Sequence, residues 1–167
     1  MNHFELFDLP VSFAIDAAQL QARYRTLQQT LHPDRFANAS ERDKRMALQR
    51  TSQLNDAYQT LRQPLSRAEY LLELRGLTLQ HEQQTLQDPE FLMAQMEWRE
   101  RLEELDVVAE LDAAFADLQQ QTHAYQQELE QQLEAEQNEA AADTIRKLKF
   151  MHKLAAELEL IEDKLNG

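Results

Sequence analysis

The sequence predicts an all-α chain: an antiparallel helical hairpin with short helices, followed by a three-helix bundle. Three observations carry this. Two Gly and four Pro in 167 residues, with abundant Leu, Ala, Gln and Glu, favour helix nearly everywhere. Apolar residues recur at helical spacing on both sides of His32-Pro33-Asp34: Leu20, Tyr24, Leu27 and Leu31 before it, Ala47, Leu54, Ala57, Tyr58 and Leu61 after it. From Glu90 to Asn166 there is neither Pro nor Gly, so that stretch is divided only by changes of period. The expected organisation is a first domain over 1–75, a linker over 76–87 and a bundle over 88–167.

Taken in order, Asn2 to Leu9 offers one short apolar turn or helix (Phe4, Leu6, Phe7, Leu9), stopped by Pro10. Asp16-Ala17-Ala18-Gln19 reads as a helix start, with Asp16 accepting from first-turn amides, and this helix runs to about Leu31. Its apolar residues fall in a narrow arc at about 100° per residue. Arg25 and Gln29 lie opposite and lead toward His32, and Arg23 sits on the flank. Pro33 lacks an amide hydrogen and drives His32 out of helical dihedrals, so the tripeptide opens a stiff loop over Phe36 to Ala39. On spacing alone, Pro33 and Asp34 read first as ordinary helix-ending and turn residues.

Ser40 with Asp43 caps the next helix, which runs to about Arg62 and carries Arg42, Lys44, Arg45 and Arg50 outward. Pro64 opens a fourth, short helix, with Gly76 just past its end. Tyr70, Leu71 and Leu74 are its expected inner face; Arg67, Glu69, Glu73 and Arg75 are its polar one. Asp88-Pro89-Glu90 then supplies an N-cap, a first-position Pro and a first-turn acid. Breaks near Asp106 and Asn138 give three helices over roughly 88–105, 108–136 and 139–165, and Gln126 to Glu134 reads as a solvated helix surface.

The first bundle helix has more apolar residues than one core stripe needs. Phe91, Ala94, Trp98, Leu102 and Leu105 complete a stripe within an arc of about 80°. Leu92, Met93 and Met96 lie roughly 100° to 200° away from Phe91, among Glu97, Glu100 and Glu104. An apolar patch with a carboxylate border suits a partner-binding surface, and Met suits irregular ones. A second packing contact inside the protein fits the same pattern. On the last helix Met151, Leu154, Leu158, Ile161 and Leu165 share a core face, with Phe150 at its margin.

Several classes of function fall away on composition. With 17 Lys and Arg against 30 Asp and Glu the net charge is -13, and residues 76–167 hold seven of the bases and twenty-one of the acids. Such a chain repels phosphate backbones, so nucleic acid is not an expected partner. The absence of Cys excludes disulfides and thiolate metal sites and fits a reducing compartment. No Lys or Arg precedes Arg23 and no apolar run nears a membrane span, so a cytoplasmic protein with no membrane contact is expected. The five His (3, 32, 81, 123, 152) show no metal-ligand spacing, and no nucleophile or phosphate loop accompanies His32 and Asp34. Neither catalysis, nor a metal, nor a cofactor is expected.

Tyr24-Arg25, Leu27 and Leu31-His32-Pro33-Asp34-Arg35-Phe36 together resemble the second helix and signature loop of a J-domain. More narrowly, the chain is similar to the HscB family, the J-domain co-chaperones of iron–sulfur cluster assembly. That likeness extends to Phe4-Glu5-Leu6-Phe7-Asp8-Leu9-Pro10, to Arg62-Gln63-Pro64-Leu65-Ser66-Arg67-Ala68-Glu69-Tyr70-Leu71-Leu72, to Phe91-Leu92-Met93 and to Ala140-Ala141-Ala142-Asp143-Thr144-Ile145-Arg146-Lys147-Leu148. The resemblance implies an N-terminal J-domain that stimulates the ATPase of the chaperone HscA. It implies chaperone contacts at His32, Pro33, Asp34, Arg35, Arg25, Gln29 and Arg23. It further implies that the bundle binds the scaffold IscU through Leu92, Met93, Met96, Glu97, Glu100, Glu104 and Phe150. A monomer is expected. Thr26, Gln28 and Gln29 stand where many general J-domains carry positive charge, which favours a dedicated chaperone. A general J-protein for a DnaK-type chaperone and a helical adaptor outside the chaperone system are the alternatives.

Overall fold

The structure is a computed structural model that describes residues 1–79 and 88–167. All regular elements among the described residues are helices, and they form two compact units, Met1–Gly76 and Leu77–Gly167. Residues 80–87, with His81 and most of the expected linker, lie outside the described residues. Among the described residues no helix is long and apolar enough to cross a membrane.

In the first unit α1 (His3–Leu6) is capped by Asn2, whose side chain accepts the Glu5 N–H. It delivers Phe4, Phe7 and Leu9 to the core. Helix α2 (Ala17–Thr30) starts at Asp16, whose carboxylate accepts from the amides of Ala18 and Gln19. Helix α3 (Glu41–Arg62) starts at Ser40, which accepts the Asp43 N–H at 3.2 Å. The hairpin between α2 and α3 is tied at mid-length. The Tyr24 and Tyr58 rings stack 3.9 Å apart, and the Tyr24 hydroxyl donates to Asn55 Oδ1 at 2.7 Å. Leu20, Leu54, Ala57 and Leu61 close the seam.

Helix α4 (Pro64–Leu74) ends at Arg75, and Gly76 follows in the left-handed region (φ 90°), where a side chain would be strained. Its inner face differs from expectation at two positions. Leu74 is 43 % exposed, whereas Leu72 is buried with Ala68 and Leu71, so the stripe turns one step earlier. Arg67 is not on the polar face: it donates to the Leu61 carbonyl at 2.7 Å and lies over the Phe13 ring, covering apolar surface with its stem. Tyr70 joins the two ends of the unit. Its ring stacks on His3, tilts against Phe4, and its hydroxyl accepts the His3 amide.

In the second unit α5 (Pro89–Glu103), α6 (Val108–Glu134) and α7 (Asn138–Asn166) share one core. Phe91 and Trp98 from α5 meet Leu111, Ala114 and Leu118 from α6 and Met151, Leu154 and Leu158 from α7. Where α6 and α7 pack together they also bury Leu129 and Leu133 of the one and Ala141, Ala142, Ile145 and Leu148 of the other. Leu129 and Leu133 therefore correct the expectation that Gln126 to Glu134 is wholly solvated surface. Among their neighbours Gln132 is half-buried and the other Gln and Glu are exposed; the abundance of those residues masks an i,i+4 apolar pair. Thr144 is buried in this layer and satisfied, donating to Gln132 Oε1 at 2.7 Å. Between α6 and α7 the chain reverses through Glu136 at φ 58°. Gln137 N–H reaches the Gln132 carbonyl (2.8 Å) and Glu136 N–H that of Leu133 (3.3 Å), the two bonds of a Schellman cap.

Candidate functional site

The tripeptide of the first unit sits at the end of the hairpin. Leu31 closes α2 and His32 leaves helical geometry (φ -59°, ψ 136°), as a residue before proline must. A 3-10 turn over Pro33–Phe36 then stiffens what the sequence presented as open loop. His32 Nδ1 accepts the Asp34 N–H at 3.2 Å, and the His32 carbonyl accepts from Arg35 N–H. With Nδ1 occupied in the neutral ring, Nε2 is the nitrogen left to donate outward. Asp34 Oδ2 stands 3.5 Å from Nδ1; the two side chains remain 57 % (His32) and 92 % (Asp34) exposed. Pro33 and Phe36 help line an apolar cavity of about 240 Å³ with Leu31, Ala47 and Leu48, which backs the turn.

Arg25, Gln29 and Arg35 are exposed around this tip. Arg23 is placed differently. It is half-buried, and its guanidinium donates to the carbonyl oxygens of Phe7 (2.8 Å) and Asp8, the latter residue at φ 51°. Those bonds hold the turn after α1 in a conformation a non-glycine residue rarely adopts.

In the second unit Leu92, Met93 and Met96 are 52, 62 and 66 % exposed. Glu97, Glu100 and Glu104 are exposed as well, the last as the C-cap of α5. At 100° per residue these six fall within an arc of about 140°, on the side of α5 away from Phe91 and Trp98. Phe150 of α7 meets Phe91 edge to face at 5.7 Å and lies under the Arg99 guanidinium at 5.5 Å. Arg99 is seven residues on from Leu92, hence nearly in line with it along the helix, so Phe150 adjoins the flank of α5 that borders the patch.

The helix carrying the patch is fixed by polar contacts that hydrophobic periodicity does not reveal. Asp88 accepts the Phe91 N–H at 3.2 Å and Lys147 at 3.0 Å. Arg99 pairs with Glu157, Arg101 pairs with Asp117 at 2.9 Å, and the Trp98 indole donates to Gln121 at 3.1 Å. Only Asp88 carried a signal in the sequence, as an N-cap.

Comparison with known proteins bears on both units. Residues 2–70 match the DnaJ domain family, and residues 87–159 match the family described as the HSCB C-terminal oligomerisation domain. The chain is 53 % identical over 172 residues to a co-chaperone protein HscB homolog of Shewanella loihica, spanning 99 % of each sequence. Its fold is similar to that of chaperone HscB from Vibrio cholerae, with a TM-score of 0.94 and 52 % identity over 98 % of this chain and 99 % of that one. Human co-chaperone protein HscB is similar too, at a TM-score of 0.91 and 30 % identity, covering 97 % of this chain and 82 % of that one.

Proposed function

The chain belongs to the HscB family of J-domain co-chaperones, and from that premise we propose that it delivers the iron–sulfur scaffold IscU to the chaperone HscA and stimulates HscA to hydrolyse ATP. The two sets of contacts are divided between the two units. His32-Pro33-Asp34, with Arg25, Gln29 and Arg35, engages the chaperone. Leu92, Met93 and Met96, with Glu97, Glu100, Glu104 and Phe150, hold the scaffold. Hydrolysis then locks the delivered scaffold into the chaperone and promotes cluster transfer. The ATPase belongs to HscA; this chain regulates it and performs no chemistry of its own. The working form is a cytoplasmic monomer whose exposed apolar patch is kept for the scaffold.

The observation that carries this reading is a surface cluster of Leu92, Met93 and Met96 at more than half exposure on a bundle helix whose core stripe is already complete. Apolar side chains left in water at such a density suit a partner. The carboxylates around them would steer a basic surface and exclude acidic ones. Coupled ATP turnover tests it. HscA should turn over faster with the chain, and faster again when IscU is added. His32→Gln should abolish both increments, and Leu92→Ala with Met96→Ala only the second. Equal stimulation of a general DnaK-type chaperone would instead support the generalist reading, and no stimulation of either would leave the adaptor.

A further inference from the structure

Whatever docks on the apolar patch meets α5 at one particular rotation, because one residue of slip turns a helix by about 100°. One lysine stands at the helix start. Lys147 of α7 places Nζ 3.0 Å from Asp88 Oδ2, while Asp88 Oδ1 caps α5 by accepting the Phe91 N–H. The same ammonium stands 5.6 Å from the centroid of Phe91 and 5.7 Å from that of Tyr125. Those two rings meet edge to face at 6.2 Å. Lys147 thus joins α5, α6 and α7 at one point, three residues before Phe150 and beside the turn that carries Leu92 and Met93. Its side chain is mostly covered, so its charge faces inward.

A cap alone fixes where a helix begins; a cap held by a neighbouring helix also fixes how the first turn is rotated. We propose that Lys147 is a positioning residue for partner recognition, setting the rotation at which α5 shows Leu92 and Met93 beside Phe150. This role rests on the reading of that surface as the scaffold site. Arg99 with Glu157 restrains α5 about three turns later, so the loss of Lys147 leaves the helix attached, with the ring packing of Phe91 left to hold its first turn. The pair stays ionised at neutral pH. Burial opposes the ammonium, yet the Asp88 carboxylate, with smaller contributions from Tyr125 and Glu128, more than offsets this and holds Lys147 above its ordinary value, while Lys147 and the Phe91 N–H hold Asp88 below the usual carboxylate range.

The test uses the full chain and apo IscU in titration calorimetry at low and high salt. Lys147→Met keeps the apolar stem and removes the charge; Asp88→Asn keeps a capping oxygen and removes the carboxylate. Each should weaken binding on the order of tenfold, the effect of one lost charge-assisted hydrogen bond. The double variant should bind no more weakly than either single one, and Lys147→Arg should recover most of the affinity. The Met93 methyl resonance of the free chain should move in the first two variants, with Trp98 fluorescence still reporting a folded bundle. Wild-type affinity in Lys147→Met overturns the role, and so do losses that add and disappear at high salt, which would make Lys147 a direct contact. A wild-type chain that does not bind IscU overturns the scaffold reading itself.

Discussion

Phe91 of α5 and Phe150 of α7 meet edge to face with ring planes 84° apart, while Leu92, one residue along, faces solvent. Adjacent side chains thus serve opposite purposes, and substitution should separate them. Phe91→Ala empties a site lined by three helices and should cost the bundle about 3–5 kcal/mol. Leu92→Ala should change stability by less than about 0.5 kcal/mol. Urea unfolding followed by Trp98, the chain's one tryptophan, checks both. Scaffold affinity should fall in Leu92→Ala even though its stability does not.

Among the described residues the His32 side chain meets its own turn, through Asp34 N–H and the nearby carboxylate. His32→Gln should leave the unfolding midpoint of the first unit unchanged within about 0.5 kcal/mol while removing stimulation of the chaperone ATPase. A variant that unfolds as it loses activity would place His32 in the fold rather than in the contact.

Arg23 and Arg25 are two residues apart and are expected to behave differently. Arg23→Gln withdraws a guanidinium from the Phe7 and Asp8 carbonyls and should destabilise the first unit by about 1–2 kcal/mol. Arg25→Gln should be silent in stability and raise the concentration of chain needed for half-maximal ATPase stimulation. Amide exchange across 17–31 distinguishes them.

His3 makes the first unit sensitive to mild acid. Burial holds its pKa below the ordinary 6.5, against the opposing pull of the Asp56 and Glu73 carboxylates. Because the folded imidazole is the weaker base, the unfolded chain takes up a proton first as pH falls. His3 therefore contributes stability above about pH 6.5 that is lost progressively below it, until the folded ring also protonates. Unfolding midpoints between pH 7.5 and 5.5, read by the same amide exchange, should fall in the wild-type chain and fall less in His3→Phe, which retains a ring against Tyr70.

Glu136 occupies the left-handed position of the cap between α6 and α7, where glycine is the unstrained choice. Glu136→Gly should raise the stability of the bundle by about 1 kcal/mol, a gain visible in Trp98-monitored unfolding. A loss would mean that the greater freedom of glycine in the unfolded chain outweighs the relief.

Much of this was legible because helices leave local marks. Asp16, Ser40 and Asp88 announced three helix starts, and each accepts first-turn amides. The core stripe from Phe91 to Leu105 followed from period alone, and so did the exclusion of Leu92, Met93 and Met96 from it. What stayed hidden depends on neighbours. Arg67 and Arg23 look like surface bases until the chain folds their guanidiniums onto distant carbonyls. Neither Lys147 nor Glu157 reveals its partner by periodicity, since an ion pair between helices exists only once packing sets their rotation. Leu129 and Leu133 were masked by a run of Gln and Glu, and Leu72 by the more even spacing of Leu74.

The ring stack between His3 and Tyr70 has a bearing on biosynthesis. Phe4 leaves the ribosome long before Tyr70, which is made about sixty-six residues later, yet that ring stands against it. The hairpin can form while the chain is growing and α3 already packs on α1, but the cover of Phe4 is completed only when the fourth helix emerges. A ribosome pausing before Tyr70 would therefore hold a tip that is already shaped on a body whose cover is incomplete.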